Sequence, residues 1–162
     1  IVEIKDNRLP ELMQCLEDVS GKVIIWSRFR YDIKRIHAEL TKVYGPSSTV
    51  TYFGDTTDEA RSQAIEQFQK GDARFFIGNP QTGGYGITLT EANTVVYFAN
   101  SFDLAVRMQS EDRCHRIGQT QHVTYIDLIA EKTIDEKIVK SLRNKMDIAS
   151  KVMGEELKEW FN

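Results

Sequence analysis

The chain has 162 residues, 41% of them hydrophobic and 28% charged, with a formal net charge of −3. This is the length of one domain with a single substantial core, and its ordinary globular composition carries no basic field over the whole domain. No apolar run approaches bilayer length and no secretory apolar core opens the chain, so neither membrane insertion nor export is expected. Cys15 and Cys114 are too few and too far apart for a disulfide framework and fit a reducing compartment. Cys114, His115 and His122 match no standard zinc spacing, and no metal site is expected. The first residue is Ile1 rather than methionine, which suggests a segment of a longer protein.

In chain order, Pro10 to Val19 reads as a short amphipathic lead-in helix. The run Val23-Ile24-Ile25-Trp26 follows, then Val50 to Phe53, Phe75 to Ile77 and Val95 to Phe98. Nearly continuous β-branched and aromatic residues mark strands buried on both faces, as in a parallel sheet. A fifth apolar run spans Val123 to Ile129. Between the first two runs, Ile33, Ile36, Leu40 and Val43 keep a helical period from Tyr31 to Tyr44, and Gly45-Pro46 stops it. Asp58 to Lys70 is a second helix, capped by Thr56 or Thr57 and closed by Gly71. Another begins near Leu104. The last carries Ile134, Ile138, Leu142, Ala149 and Val152 on one stripe and extends toward Trp160 and Phe161, with a break expected at Gly154. Alternating strands and helices imply right-handed crossovers and an α/β fold with a mostly parallel central sheet flanked by helices.

Ligands of open parallel sheets bind beyond the carboxyl ends of the strands. Those ends are Ser27-Arg28, Gly54-Asp55, Asn79 through Gly86, and Asn100-Ser101-Phe102. The stretch Asn79-Pro80-Gln81-Thr82-Gly83-Gly84-Tyr85-Gly86 is glycine-dense; it reads either as a tight strand exit or as backbone that approaches a ligand. Arg28 and Arg30 flank Phe29, either on a solvated loop or against a nucleic-acid backbone. Gly54-Asp55-Thr56 is a capping turn or a phosphate-facing one. Gln109, Arg113 and Arg116 fall at i, i+4 and i+7, so a helix continued through them would aim two guanidinium groups one way, as a triphosphate requires. Yet no G-x-x-x-x-G-K-[ST] occurs, no acidic pair follows a strand to hold Mg²⁺, and no Ser-His-Asp arrangement is suggested. The residues can finish a nucleotide site but not build one.

Read in order, these stretches resemble the second RecA-like lobe of superfamily-two helicases, and within them the Swi/Snf group of DNA-dependent ATPases. Lys22 to Phe29 resembles motif IV. Tyr52-Phe53-Gly54-Asp55 with Arg61 and Ile65 to Phe68 resembles the next element. Thr82 to Thr90 with Ala92 to Val95 resembles motif V, and Gln109 to Gln119 resembles motif VI. Lys132 to Ile138 resembles the entry to that group's C-terminal helix. Asn79-Pro80, Thr88 and Phe102-Asp103-Leu104 depart from the group's usual residues.

The resemblance implies a single domain over residues 1–162. A lead-in helix occupies 1–20, the RecA-like lobe 21–131 and a helical extension 132–162. It implies Arg113 and Arg116 as arginine fingers supported by Gln109, with Thr88 and Gly86 near the nucleotide. Arg28, Gly54, Asp55, Asn79, Gly83 and Gly84 would touch double-stranded DNA, mainly its phosphates. ATP and Mg²⁺ would be held mainly by a first RecA-like lobe of the same protein, and none tightly by this one. The whole would be an intracellular DNA translocase, in a prokaryotic or virus-infected cytoplasm or a nucleus. The alternative is a noncatalytic lobe kept for docking DNA or protein.

Overall fold

The computed structural model describes residues 7–82, 86–115 and 119–160, with side chains described as far as Val152 in the last helix. Five strands build one sheet: β1 (Lys22–Ser27), β2 (Thr49–Tyr52), β3 (Phe75–Gly78), β4 (Ala92–Ala99) and β5 (Thr124–Asp127). Their order is β2-β3-β1-β4-β5 and every pairing is parallel. In the middle, Val23 lies opposite Phe75 on one side and Thr94 on the other. The helices are α1 (Arg8–Glu17), α2 (Arg30–Tyr44), α3 (Asp58–Lys70), α4 (Leu104–Asp112) and α5 (Ile134–Trp160), with one 3-10 turn at Pro46–Ser48.

The period-two alternation of a strand divides β1 between two cores. Ile24 and Trp26 face one core with Tyr52, Phe76, Tyr97 and Phe68 of α3. Val23 and Ile25 face the other, where α1 supplies Leu12 and Leu16 and α2 supplies Ile33, Ile36 and Leu40. Burial on both faces explains the uninterrupted apolar runs. Phe76 centres the first core, with ring centroids 5.8 Å from Trp26, 5.4 Å from Tyr52 and 5.4 Å from Phe68.

Local chemistry sets the helix ends. Thr57 Oγ1 accepts the amide of Ala60 at 3.2 Å, and Asp58 and Glu59 follow in the first turn of α3. At the other end, the Lys22 ammonium donates to the carbonyls of Phe68 and Gly71, satisfying groups the helix leaves open. Arg8 pairs with Asp135 and so ties α1 to the start of α5. α5 buries Ile138, Val139 and Leu142, then leaves Met146, Ile148 and Val152 exposed.

Three expectations shift. α1 runs from Arg8 to Glu17 rather than from Pro10 to Val19; Pro10 falls in its first turn, where a missing amide costs little. β5 is shorter than the apolar run around it. α5 continues through Gly154 without a break, a glycine costing a helix interior only about 1 kcal/mol; Phe161 lies outside the described residues. The strand–helix alternation also lapses once. The connection from Asn79 to Glu91, which carries β3 across β1 to β4, contains no helix among its described residues.

Phe76→Ala should destabilise the lobe by about 3–5 kcal/mol, since three aromatic neighbours cannot collapse into the space. Urea unfolding followed by circular dichroism measures this.

Candidate functional site

Parallel pairing sends the ends of all five strands to one edge. There Asn79 acts as a joint. Its amide donates to Tyr52 O at 2.9 Å, its Nδ2 to Arg28 O at 3.2 Å, and its Oδ1 accepts Gln81 N at 2.8 Å. One side chain thus links the exits of β1 and β3, and its backbone adds that of β2. Gly78 permits this closeness, because a Cβ there would stand 2.7 Å from Tyr52 O. Arg28 is exposed, its guanidinium 5.6 Å from the ring of Phe29. Gly54 and Asp55 are exposed too. The Asp55 carboxylate pairs with Arg30 at 2.5 Å and the Gly54 carbonyl accepts from Arg61 at 3.2 Å. Arg28, Gly54, Asp55 and Asn79 therefore share one edge. Gly83 and Gly84 lie outside the described residues.

The described part of the arginine stripe ends at the C-terminus of α4. α4 ends at Asp112, and Arg113 is its cap, with φ −66° and ψ −30°. The amides of Cys114 and His115 both reach Glu111 O at 3.1 Å, while the Arg113 carbonyl is taken by Leu89 N at 2.8 Å. Among the described residues, Gln109, which is half-buried, and Arg113 fall on the stripe, and Arg116 lies outside the described residues. Arg113 itself is 3% exposed. Its Nη2 donates to Pro80 O at 2.9 Å and Thr82 O at 3.3 Å, and its guanidinium sits 5.2 Å from the Trp26 ring.

Thr88 is half-buried and Gly86 exposed, and both line an open groove beside Ser62, Ile65 and Glu66 of α3. Gly86 has φ +112°, a conformation that favours glycine. The Gln119 Nε2 donates to Thr90 O at 2.8 Å and lies 3.3 Å from both Ala92 O and Cys114 O.

Sequence reading missed Arg107. It is 9% exposed, and its guanidinium donates to Glu111 at 2.7 Å, to Asp127 at 2.6 and 3.3 Å, and to Asn100 at 3.0 Å. It also lies 3.5 Å over the ring of Tyr97, whose hydroxyl is 2.6 Å from Ser110 Oγ. Burial opposes the charge on Arg107, but the hydrogen bond to Asp127 and its other partners prevail and raise its pKa. Burial also pushes the Tyr97 hydroxyl up. The inner face of α4 is thus polar, formed by Arg107, Ser110 and then Cys114 just beyond the helix. The only advance signal was the Arg107–Glu111 spacing of four. A cavity of about 20 Å³, room for roughly one water, lies here between Asn79, Asn100 and Arg107.

Burial, reinforced by the charge of Glu111 and opposed by Arg113, pushes the Cys114 thiol up to about 12. Its contribution to stability is full below the unperturbed value of 9.0 and is lost as pH rises toward about 12. At pH 8 Cys114 should resist iodoacetamide until the lobe unfolds, which mass spectrometry across a urea series will show. Arg107→Ala should cost about 3–5 kcal/mol, because it leaves Asp127 enclosed without its cation; thermal and urea unfolding measure that loss.

Residues 5–118 match the family model described as the helicase conserved C-terminal domain. Over 141 residues, 85% of this chain and 11% of the relative, the sequence is 34% identical to the ATP-dependent helicase fft2 of Schizosaccharomyces pombe. Among solved structures, the C-terminal part of the Fun30 ATPase domain is similar at a TM-score of 0.77 and 29% identity, covering 85% of this chain and 46% of that one. The C-terminal domain of the Sulfolobus solfataricus SWI2/SNF2 ATPase is similar at 0.63 and 25% identity, covering 86% and 55%. The chain spans about a tenth of the length of the curated relatives it matches. With its five parallel strands and flanking helices, it belongs to the helicase C-terminal domain family, as a RecA-like lobe of the Swi/Snf ATPase type.

Proposed function

We propose that this lobe is the second half of an ATP-driven motor that translocates on double-stranded DNA. The observation that carries the reading is the shared edge. The exits of β1, β2 and β3 meet around Asn79, and the loop that starts there is hydrogen-bonded to the end of α4. A surface that grips DNA and a turn that serves a nucleotide would then be direct neighbours.

In this reading Arg28, Gly54, Asp55, Asn79, Gly83 and Gly84 face the DNA backbone. Contacts of exposed cations and backbone amides to phosphates hold DNA without reading its sequence. Because Asp55 is paired with Arg30, its side chain does not add bare negative charge to that surface. Gly86 and Thr88 lie near the nucleotide and Gln109 supports the arginines. ATP and Mg²⁺ sit mainly on a first lobe with a P-loop, because this chain has no P-loop sequence. Arg113 and Arg116 are the fingers that stabilise charge on the transferring phosphoryl group. Closure of the two lobes completes the cleft, and repeated cycles advance the motor. Residues 21–131 form the motor lobe, with the lead-in and the C-terminal extension packed on it. The relative named an ATP-dependent helicase supports ATP as the fuel, and an intracellular setting follows from that fuel and a DNA track.

Arg116→Ala in the two-lobed protein should lower turnover at saturating ATP and DNA by at least about 10², with the melting temperature unchanged. Wild-type turnover would remove the finger assignment. The lobe alone should hydrolyse no ATP and should bind DNA weakly, with affinity falling steeply as salt rises. Metal-dependent hydrolysis by the pure lobe contradicts this reading, and a first lobe without a P-loop leaves the docking alternative.

A further inference from the structure

We infer that Arg30 is a phosphate-binding residue of the strand-exit edge whose charge is restrained by Asp55, so that this pair sets the strength of the grip on DNA. The inference rests on the motor reading above and adds to it a residue and a brake.

Arg30 opens α2, just past the exit of β1, and Asp55 lies in the turn that follows β2. These two strands are separated in the sheet by β3, so the pair bridges exits that lie on either side of the Asn79 joint. Both side chains are open to solvent, at 61% and 52%, and Arg30 Nη1 donates to Asp55 Oδ2 at 2.5 Å. The carboxylate is carried on a built turn. Within it the Thr56 amide donates to Phe53 O at 3.0 Å, and Arg61 ties the Gly54 carbonyl to the start of α3 at 3.2 Å.

Other acids near these exits have local duties. Asp103 caps α4 by accepting Val106 N, and Asp58 pairs with Arg61 three residues on. Asp55 instead reaches an arginine from a different strand exit. An exposed pair of this kind adds little to stability, because water screens it and two mobile side chains must be held still. Its effect on an arriving polyanion is greater. Arg28, Arg30 and Lys34 are all exposed at this corner, Lys34 lying one turn beyond Arg30 on α2. Asp55 cancels one of those three charges. The guanidinium keeps donors beyond the one given to Asp55, so it can meet a phosphate without leaving the carboxylate. The carboxylate acts through its charge, repelling at close range any phosphate seated on Arg30. A motor must release DNA as often as it grips it, and a tempered grip suits that cycle.

Duplex binding by the two-lobed protein across a salt series tests this. Asp55→Asn keeps the turn and leaves Arg30 a neutral neighbour. It should tighten binding by about three- to tenfold at about 0.1 M salt, and steepen the fall of affinity with salt by about one counterion. Arg30→Gln should weaken binding by a similar factor, because the cation is gone and the carboxylate is bare. In the double variant the gain from Asp55→Asn should shrink to less than about twofold, since no guanidinium remains to be unmasked. All three variants should melt within about 2 °C of wild type, as a screened surface pair requires. Asp55→Asn binding no tighter than wild type overturns the inference, as does a gain of equal size with and without Arg30. A melting loss of several degrees in any variant makes the pair a clip of the fold and overturns it too. A second measurement needs no variant: duplex DNA should protect Arg30 of the wild-type protein from phenylglyoxal, read by mass spectrometry, and an unprotected Arg30 overturns the assignment. A wild-type protein that does not bind duplex DNA overturns the motor reading as a whole, a result distinct from any failure of the pair.

Discussion

β1 sits between β3 and β4, and all three run the same way. Because the pairing is parallel, each strand must be regained by a crossover, and each exit faces the same edge. The polar residues at those exits are brought together by this constraint alone. Asn79 then converts proximity into connection, since its amide and side chain bind neighbouring strand exits directly. Gly78 is the condition for that closeness, being packed against Tyr52 O where no side chain fits.

The second organising feature is the polar inner face of α4. A helix that covers a sheet ordinarily buries an apolar stripe. α4 buries Arg107 and Ser110 instead, with Cys114 following, and satisfies them by Asp127, Asn100, Glu111 and the hydroxyl of Tyr97. Buried polar groups with complete partners fix one arrangement, whereas apolar contacts tolerate sliding. The end of α4 is where Arg113 must meet the loop carbonyls. A helix held by directional bonds keeps that meeting point in register.

The fold was largely legible because its signals are local. The runs around Ile24, Phe76 and Val96 are continuous since both faces of the sheet are covered, and α3 begins and ends as expected because Thr57 and Gly71 carry the cap chemistry themselves. α1 was misplaced at its start, where Asn7 makes no side-chain cap bond. The site was legible only as a place. The strand-exit rule located Arg28, Gly54, Asp55 and Asn79 at one edge. Periodicity set Arg113 on the same stripe as Gln109 but could not say what its guanidinium would meet, because its partners are backbone carbonyls more than thirty positions away. Arg107 was invisible for the same reason: Asp127 and Asn100 join it only once β4 and β5 are paired.

The central place of β1 also governs how the chain can acquire its shape. Val23 pairs with Phe75 and Thr94, so the strand made early finds its partners only after much more chain has emerged. Contacts this distant in sequence slow folding, because the entropy of closing long loops is spent before pairing returns any energy. Until then the segment Val23-Ile24-Ile25-Trp26 is an exposed apolar ribbon with both edges open. During synthesis the nascent lobe is therefore most prone to aggregate while β3 and β4 are still being made.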